Sequence, residues 1–485
     1  MTVRFLFASL FACTTLISSA QIPSLLRDIN PSGNSSTAVN TCANGLVFFR
    51  ATDGAHGLEP WASDGTTEGT VMPRDINPGA DGSLPLGFIA WNGQVYFAAD
   101  NGVDGYQLWS TDGTVAGTQF ELAIDDVQDL ESSSNFTVYN DMIVFSGLTG
   151  ALGGELWRTD GTVDGTQLIL DINPGTLSSS PREFMPYNGL LYFSARSPGV
   201  GEELWVTDGT AAGTHLVKDI DEGTGAGTPS GLAVANGLLF FNGDDGFLHG
   251  TELWATDGTT EGTTLVKDII PGSNSSLPRN LVAFNNEVWF TAYTGSESHI
   301  WHSDGTEAGT VMLELPVELL TEPDKLAVHG GSIYFAAYID TFYKQLWRTD
   351  GTAAGTVQIV DPGSTSVSPL SGTTSITSCG DLLFFSAAYD EAVGAEPYTL
   401  LSPVGIGEQR VSNNARLYPN PTTDRLTMVD APAKGTLRLF ATDGSLALET
   451  NVYDMDLSAL PTGLYLARIR ATDGTVLHVQ RVVKE

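Results

Sequence analysis

A chain of 485 residues in which 57 acidic residues stand against 22 basic ones carries a formal net charge of −35. That balance excludes a nucleic-acid partner, which needs Lys and Arg to neutralise phosphate, and works against docking on anionic lipid headgroups. Residues 416–485 hold eight acidic and eight basic residues, so all of the net charge lies before Arg416 and a compositional boundary falls there.

Residues 1–20 read as a secretory signal peptide: Arg4 supplies the positive start, an apolar run follows from Phe5, and Ser18-Ser19-Ala20 ends in a small residue suited to cleavage. No later run approaches the roughly 20 apolar residues that cross a bilayer, so no transmembrane segment is expected. The acidic surface keeps such an exported chain soluble.

From residue 21 to residue 402 one unit is copied. Its clearest copy runs from Glu203-Leu204-Trp205 through Thr207-Asp208-Gly209-Thr210 to Gly213-Thr214, with a strand-like run from Leu216 to Ile220. The tryptophan recurs at Trp61, Trp109, Trp157, Trp205, Trp254, Trp301 and Trp347, at steps of 48, 48, 48, 49, 47 and 46 residues. β-Branched and aromatic runs on either side of Asp-Gly, where Gly accepts positive φ, predict a β-hairpin.

Around Trp254 four strands can be written, at 232–235, 238–242, 252–256 and 264–269, and a Pro/Gly/Ser loop at 271–278 leads to the next unit. Four short antiparallel strands at this period predict a propeller blade. The second strand recurs eight times, starting at residues 46, 95, 143, 190, 238, 288, 333 and 382. Glu396-Pro397-Tyr398-Thr399 is a degenerate eighth copy of the tryptophan strand, and residues 25–31 are a fourth strand with no third before it. Pairing those two orphans closes an eight-bladed ring and removes its open edges. A seven-bladed ring with irregular ends is the alternative. The repeated Trp residues are expected in the core between blades, because one blade cannot bury its faces alone.

These residues resemble the ELWxxDGT repeat proteins, a family of exported bacterial proteins, over most of 21–402. The motif is nearly complete at Glu155, Glu203 and Glu252 and departs at Glu59-Pro60-Trp61, Gln107, His299 and Gln345. The resemblance describes a repeat and implies neither a catalytic activity nor a defined ligand.

Residues 403–415 form a plausible Pro/Gly/Ser/Asn linker. Beyond it, residues 416–485 alternate as short strands and predict a small C-terminal β-sandwich, making the whole chain all-β. This stretch resembles the type A C-terminal sorting domain of the type IX secretion system through Tyr418-Pro419-Asn420-Pro421, Gly463, Tyr465 and the terminal Val-Val-Lys484. The resemblance implies Sec export to the periplasm, recognition of 416–485 by the type IX machinery, and removal of the domain as the cargo is released to the medium or anchored at the surface.

A search for chemistry mostly returns absences. The seven His residues show no HExxH or comparable spacing, and His299 and His302 have no carboxylate partner in the pattern. No GxSxG elbow, P-loop or Cys/His nucleophile pair is present. Asp-Gly-Thr invites a calcium reading, but the loop lacks the alternating carboxylates of a calcium loop, and an Asp that caps its own backbone is the expected use. No cofactor is expected.

Two functions fit. One is a surface or secreted module that binds a glycan or protein; the other is an extracellular polysaccharide hydrolase or lyase built on a propeller. A site must break the repeat symmetry, which directs attention to the loops between second and third strands: Asp244, Asp245 and His249 in one blade, and Tyr338, Phe342, Tyr343 and Lys344 in another. Loss of the signal peptide leaves Cys42 and Cys379, both at the end of a first strand in blades that closure makes neighbours. A disulfide is open to them, although they differ by one position in register.

Overall fold

Each repeat folds around one cross-strand pair. In the computed structural model a Phe of the second strand stands opposite the Trp of the third in seven blades, as Phe49–Trp61, Phe97–Trp109, Phe145–Trp157, Phe193–Trp205, Phe241–Trp254, Phe290–Trp301 and Phe335–Trp347. In the eighth, Phe385 faces Tyr398. All eight Phe side chains are withdrawn from water, and most of the Trp rings nearly so. Burial of one such side chain contributes about 2 kcal/mol.

The structure describes residues 21–122, 136–315, 321–338, 344–361, 364–366, 369–370, 375–401, 416–418, 422–423, 425–429, 435–440, 446–451, 455–471 and 476–484. The expected signal peptide and the linker 403–415 lie outside them. Two units separate, residues 23–402 and a unit containing residues 403–485.

The first unit is an eight-bladed β-propeller. Its innermost strands begin at Ala38, Leu86, Thr137, Arg182, Ser230, Arg279, Thr321 and Ile376 in blades 1 to 8; each adjoins the next, and the last returns to the first. Blade 8 takes its outermost strand from the other end of the chain: Ser24–Leu25 pairs antiparallel with Glu396–Leu401. This strand is shorter than the sequence suggests, because Ile29 and Ser35 give their amides to the Glu396 carboxylate instead of to a ladder. Blade 1 has three strands, with its expected fourth reduced to a single Ala62–Val71 bridge.

A disulfide joins Cys42 and Cys379, with Cα atoms 5.2 Å apart. Their innermost strands adjoin without sharing a ladder, so an offset of one position sets no bar. The bond closes a loop of 337 residues at the seam where blade 8 meets blade 1. Replacing both residues by Ser is expected to cost about 2–4 kcal/mol in chemical unfolding under non-reducing conditions, with the ring still closed by its strand pairing. Equal stability of the two proteins would show that the seam needs no staple.

In the second unit a four-stranded sheet runs in the order 446–451, 435–440, 463–471 and 476–484. Leu437, Leu439, Tyr465, Ala467 and Val482 of this sheet form one core with Leu426, Met455 and Leu457. Gly463 opens its strand opposite Lys484, and the Tyr465 hydroxyl donates to the Pro461 carbonyl at 2.8 Å. Tyr418 pairs with Thr427 in a separate two-stranded ribbon. Pro419, Asn420 and Pro421 lie outside the described residues.

Candidate functional site

The repeated polar residues are used up by the scaffold. Asp208 Oδ1 accepts from the Thr210 amide at 2.8 Å and its hydroxyl at 2.6 Å, and the Thr210 hydroxyl in turn accepts from the Gly213 amide at 3.1 Å. Gly209 has φ +90, and a Cβ on Gly213 would lie 2.2 Å from the Asp208 carboxylate, so both glycines are required by the turn. The same bonds recur at Asp64, Asp112, Asp160, Asp257, Asp304 and Asp350. These hydrogen bonds hold Asp112, Asp160, Asp208, Asp257 and Asp304 below the usual carboxylate range. Among the described residues no group of three or more His, Cys, Asp or Glu is placed to hold a metal ion.

The Glu that opens the motif has a role the sequence did not disclose. Glu203 is fully buried and accepts from the amides of Ile220 at 2.9 Å and Gly227 at 2.7 Å, clamping the loop that crosses to the next blade. Glu59, Glu155, Glu252 and Glu396 clamp the equivalent loops. Burial raises all five and pushes Glu203, Glu252 and Glu396 up to about 7, the amide bonds limiting the rise. His56 and His249 are raised as well, chiefly by hydrogen bonds to Asp53 and Asp245.

A group whose pKa is higher in the folded chain stabilises it fully below the unfolded value, here near 4.5 for Glu, and loses that contribution as pH rises through about 7. The His residues act in the same direction. The turn Asp residues act oppositely, but only as pH falls below their ordinary value of 3.8. The propeller is therefore expected to melt at a higher temperature at pH 5 than at pH 8 at matched ionic strength. Thermal stability rising steadily across that interval would contradict this.

What breaks the repeat gathers at one level on the face that carries the loops between second and third strands. At this level a residue of the innermost strand, one at the end of the second and one at the start of the third come together. The trio is Arg182, Arg196 and Glu202 in blade 4; Ser230, Asp244 and Thr251 in blade 5; Arg279, Tyr293 and Ser298 in blade 6; and Asp324, Tyr338 and Lys344 in blade 7. Arg182 pairs with the buried Glu202, which also receives the Ser194 hydroxyl at 2.8 Å. Lys344 lies 3.6 Å from Asp324 and over the Tyr338 ring. Bonds between neighbours link these trios: the Gly231 amide to Glu183, Asn242 to the Pro278 carbonyl, and Asn280 to Asp324. The bulge of the innermost strand recurs around the ring with positive φ, at Gly87, Glu183, Gly231, Asn280 and Lys325, and so belongs to the scaffold.

Three residues singled out in the sequence, Asp244, Tyr338 and Lys344, share this level, although on blades separated by blade 6. Asp245 and His249 belong to the hairpin tip of blade 5, where Asp245 binds the His249 amide at 2.7 Å and ring nitrogen at 2.6 Å. That inner bonding leaves Phe247, 98% exposed, as what the tip presents. Phe342 and Tyr343 lie outside the described residues. Sequence reasoning missed Arg182, Arg279 and Asp324, whose signal is charge at one column of the aligned innermost strands, and Glu202, which lies at the start of the third strand. His302 does have a carboxylate partner, Glu287 at 2.9 Å, which comes from across the ladder and leaves no mark in local spacing.

Fold and site define the class: an eight-bladed β-propeller whose repeat is scaffold, followed by a separate β domain. Residues 416–485 match the family "Secretion system C-terminal sorting domain", the sorting domain of the type IX system. The protein is therefore secreted or displayed at the cell surface by way of the periplasm and outer membrane, and engages the type IX machinery through that domain. No helix among the described residues is long and apolar enough to cross a membrane.

No curated protein sequence matches the chain. Among solved structures it is similar to PorZ, described as a surface component of the type IX secretion system of Porphyromonas gingivalis, at 14% identity and TM-score 0.43 over 96% of this chain and 70% of that one. It is also similar to a chain from a structural study of two prolyl endopeptidases, at 11% identity and TM-score 0.48 over 74% of this chain and 55% of that one. A xyloglucanase of Xanthomonas campestris matches at 12% identity and TM-score 0.41 over 76% of this chain and 58% of that one. The chain thus spans little more than half the length of these two enzymes. Likeness at this level bears on neither activity nor ligand.

Proposed function

We propose that the protein is a non-enzymatic binding module of the ELWxxDGT repeat kind, which the type IX system delivers to the surface or medium to present its loop face to a glycan or protein. The observation that carries this reading is the division of labour among its acids. Those of the repeat cap turns or clamp loops, while the symmetry-breaking charges of blades 4 to 7 converge at one level. A glycoside hydrolase would need two acids free to act on a bound sugar. At this level Glu202 is held by Arg182, and Asp324 by Lys344 and Asn280, which favours binding over catalysis.

A glycan and protein binding screen with the purified protein, run beside a polysaccharide turnover assay, tests the proposal. Expected is binding without turnover, weakened about tenfold by Lys344→Ala. Turnover lost on changing Glu202 or Asp324 would replace this reading with the enzymatic one.

A further inference from the structure

In blades 4 and 7 the charge on the innermost strand meets an opposite charge at the start of the third strand, and in blade 6 it does not. In blade 4 the Arg at the innermost strand, Arg182, meets a carboxylate built into the start of the third strand, Glu202. In blade 7 the signs are exchanged, with Asp324 inside and Lys344 at the third strand. Blade 6 keeps the Arg, as Arg279 opposite Thr291, but has Ser298 where blade 4 has Glu202 and Tyr293 where blade 4 has Arg196. Arg279 is exposed, and among the described residues no ion pair reaches it. In a chain with a net charge of −35, a guanidinium on the axial strands that lacks the third-strand carboxylate of blade 4 is a specific feature.

The space so created is a cavity of about 270 Å³ lined by Leu277, Arg279, Thr291, Tyr293, Ser298 and Glu322. That is room for one sugar ring and too little for a drug-sized ligand. Tyr293 is 36% exposed, and its hydroxyl is anchored on the Gly295 carbonyl at 2.9 Å, which fixes the ring as a flat wall.

Building on the binding function above, we propose that this cavity of blade 6 takes a carboxylate-bearing sugar, a uronic acid unit of an acidic glycan. Its carboxylate occupies the place that Glu202 fills in blade 4, bonded to Arg279 and the Ser298 hydroxyl, and its ring lies along Tyr293. Glu322 also faces the cavity and accepts from sugar hydroxyls. Its charge opposes a doubly charged group, which favours a carboxylate over a phosphate and a hydroxylated ligand over a simple anion.

Calorimetric titration of the purified protein with a galacturonate oligomer and with the corresponding neutral galactose oligomer tests the assignment. The acidic oligomer should bind at least about tenfold tighter. Arg279→Ala should remove that margin, and so should Ser298→Glu, which installs the carboxylate of blade 4 and neutralises Arg279 from within. Ser298→Ala should keep most of it. Arg279 is exposed, so its replacement leaves the fold intact even if Ser298→Glu does not. No margin between the two oligomers, or a margin untouched by Arg279→Ala, would overturn the assignment. A neutral glycan or a protein bound at the loop face and indifferent to Arg279→Ala would overturn it while leaving the proposed function standing, whereas no ligand at that face would remove both.

Discussion

Glu203→Ala should destabilise the propeller by about 3 kcal/mol or more, a large effect for one residue. The substitution removes the acceptor of the Ile220 and Gly227 amides in a place where Glu203 itself is fully buried. Each buried donor left without a partner costs about 1–3 kcal/mol, because the bond it made to water in the unfolded chain is not replaced. Glu203→Gln should cost less, since one oxygen still accepts while the new amide group faces a donor. The chain itself has Gln107 and Gln345 at this position of its repeat. By contrast Asp208→Ala, on an exposed turn, should cost clearly less, because the amide it releases can turn to water. Urea unfolding of the three variants checks the order, and a Glu203→Ala change below about 0.5 kcal/mol would mean that the clamp is incidental.

Deletion of residues 416–485 should abolish delivery to the surface or medium while leaving a folded propeller in the periplasm. The two units have separate cores, and the excess of acid that marks the propeller stops before Arg416. Because the propeller closes through its own chain ends, at Ser24–Leu25 against Glu396–Leu401, the deletion leaves that seam intact. In a host with the type IX system, the full chain is expected outside the cell, trimmed by about the mass of the sorting domain. Undiminished export of the deleted chain, or external protein still carrying residues 416–485, would contradict a cleaved sorting signal.

Most of the fold was legible because the repeat is long, closely spaced and made of residues with one strong local preference each. Trp at a period near 48 and Gly at the turn are sufficient to place the third strand and its hairpin, and the orphan strands at the two ends give the closure. Less visible was where strands stop. Residues 25–31 look like a strand, but the amides of Ile29 and Ser35 are drawn to Glu396, an interaction 367 and 361 residues away in sequence. The Glu of the motif was read as part of a strand, since nothing local shows that its partners are the amides 17 and 24 residues further on. At the loop face, Asp244 and His249 stood out as unusual in their loop, whereas Arg279 did not. Its meaning depends on Ser298 standing where another blade has Glu202, a comparison that requires the register of three strands.

On the proposed function, repeated polar residues build the ring and unrepeated ones meet a ligand. The most direct measurement is ligand binding by the purified protein compared between Asp208→Ala and Lys344→Ala, with thermal unfolding followed in parallel. The predicted result is that Asp208→Ala lowers stability and keeps affinity, while Lys344→Ala keeps stability and loses about tenfold in affinity. Affinity lost with the repeat Asp and retained without Lys344 would place the site in the repeat turns and contradict the division.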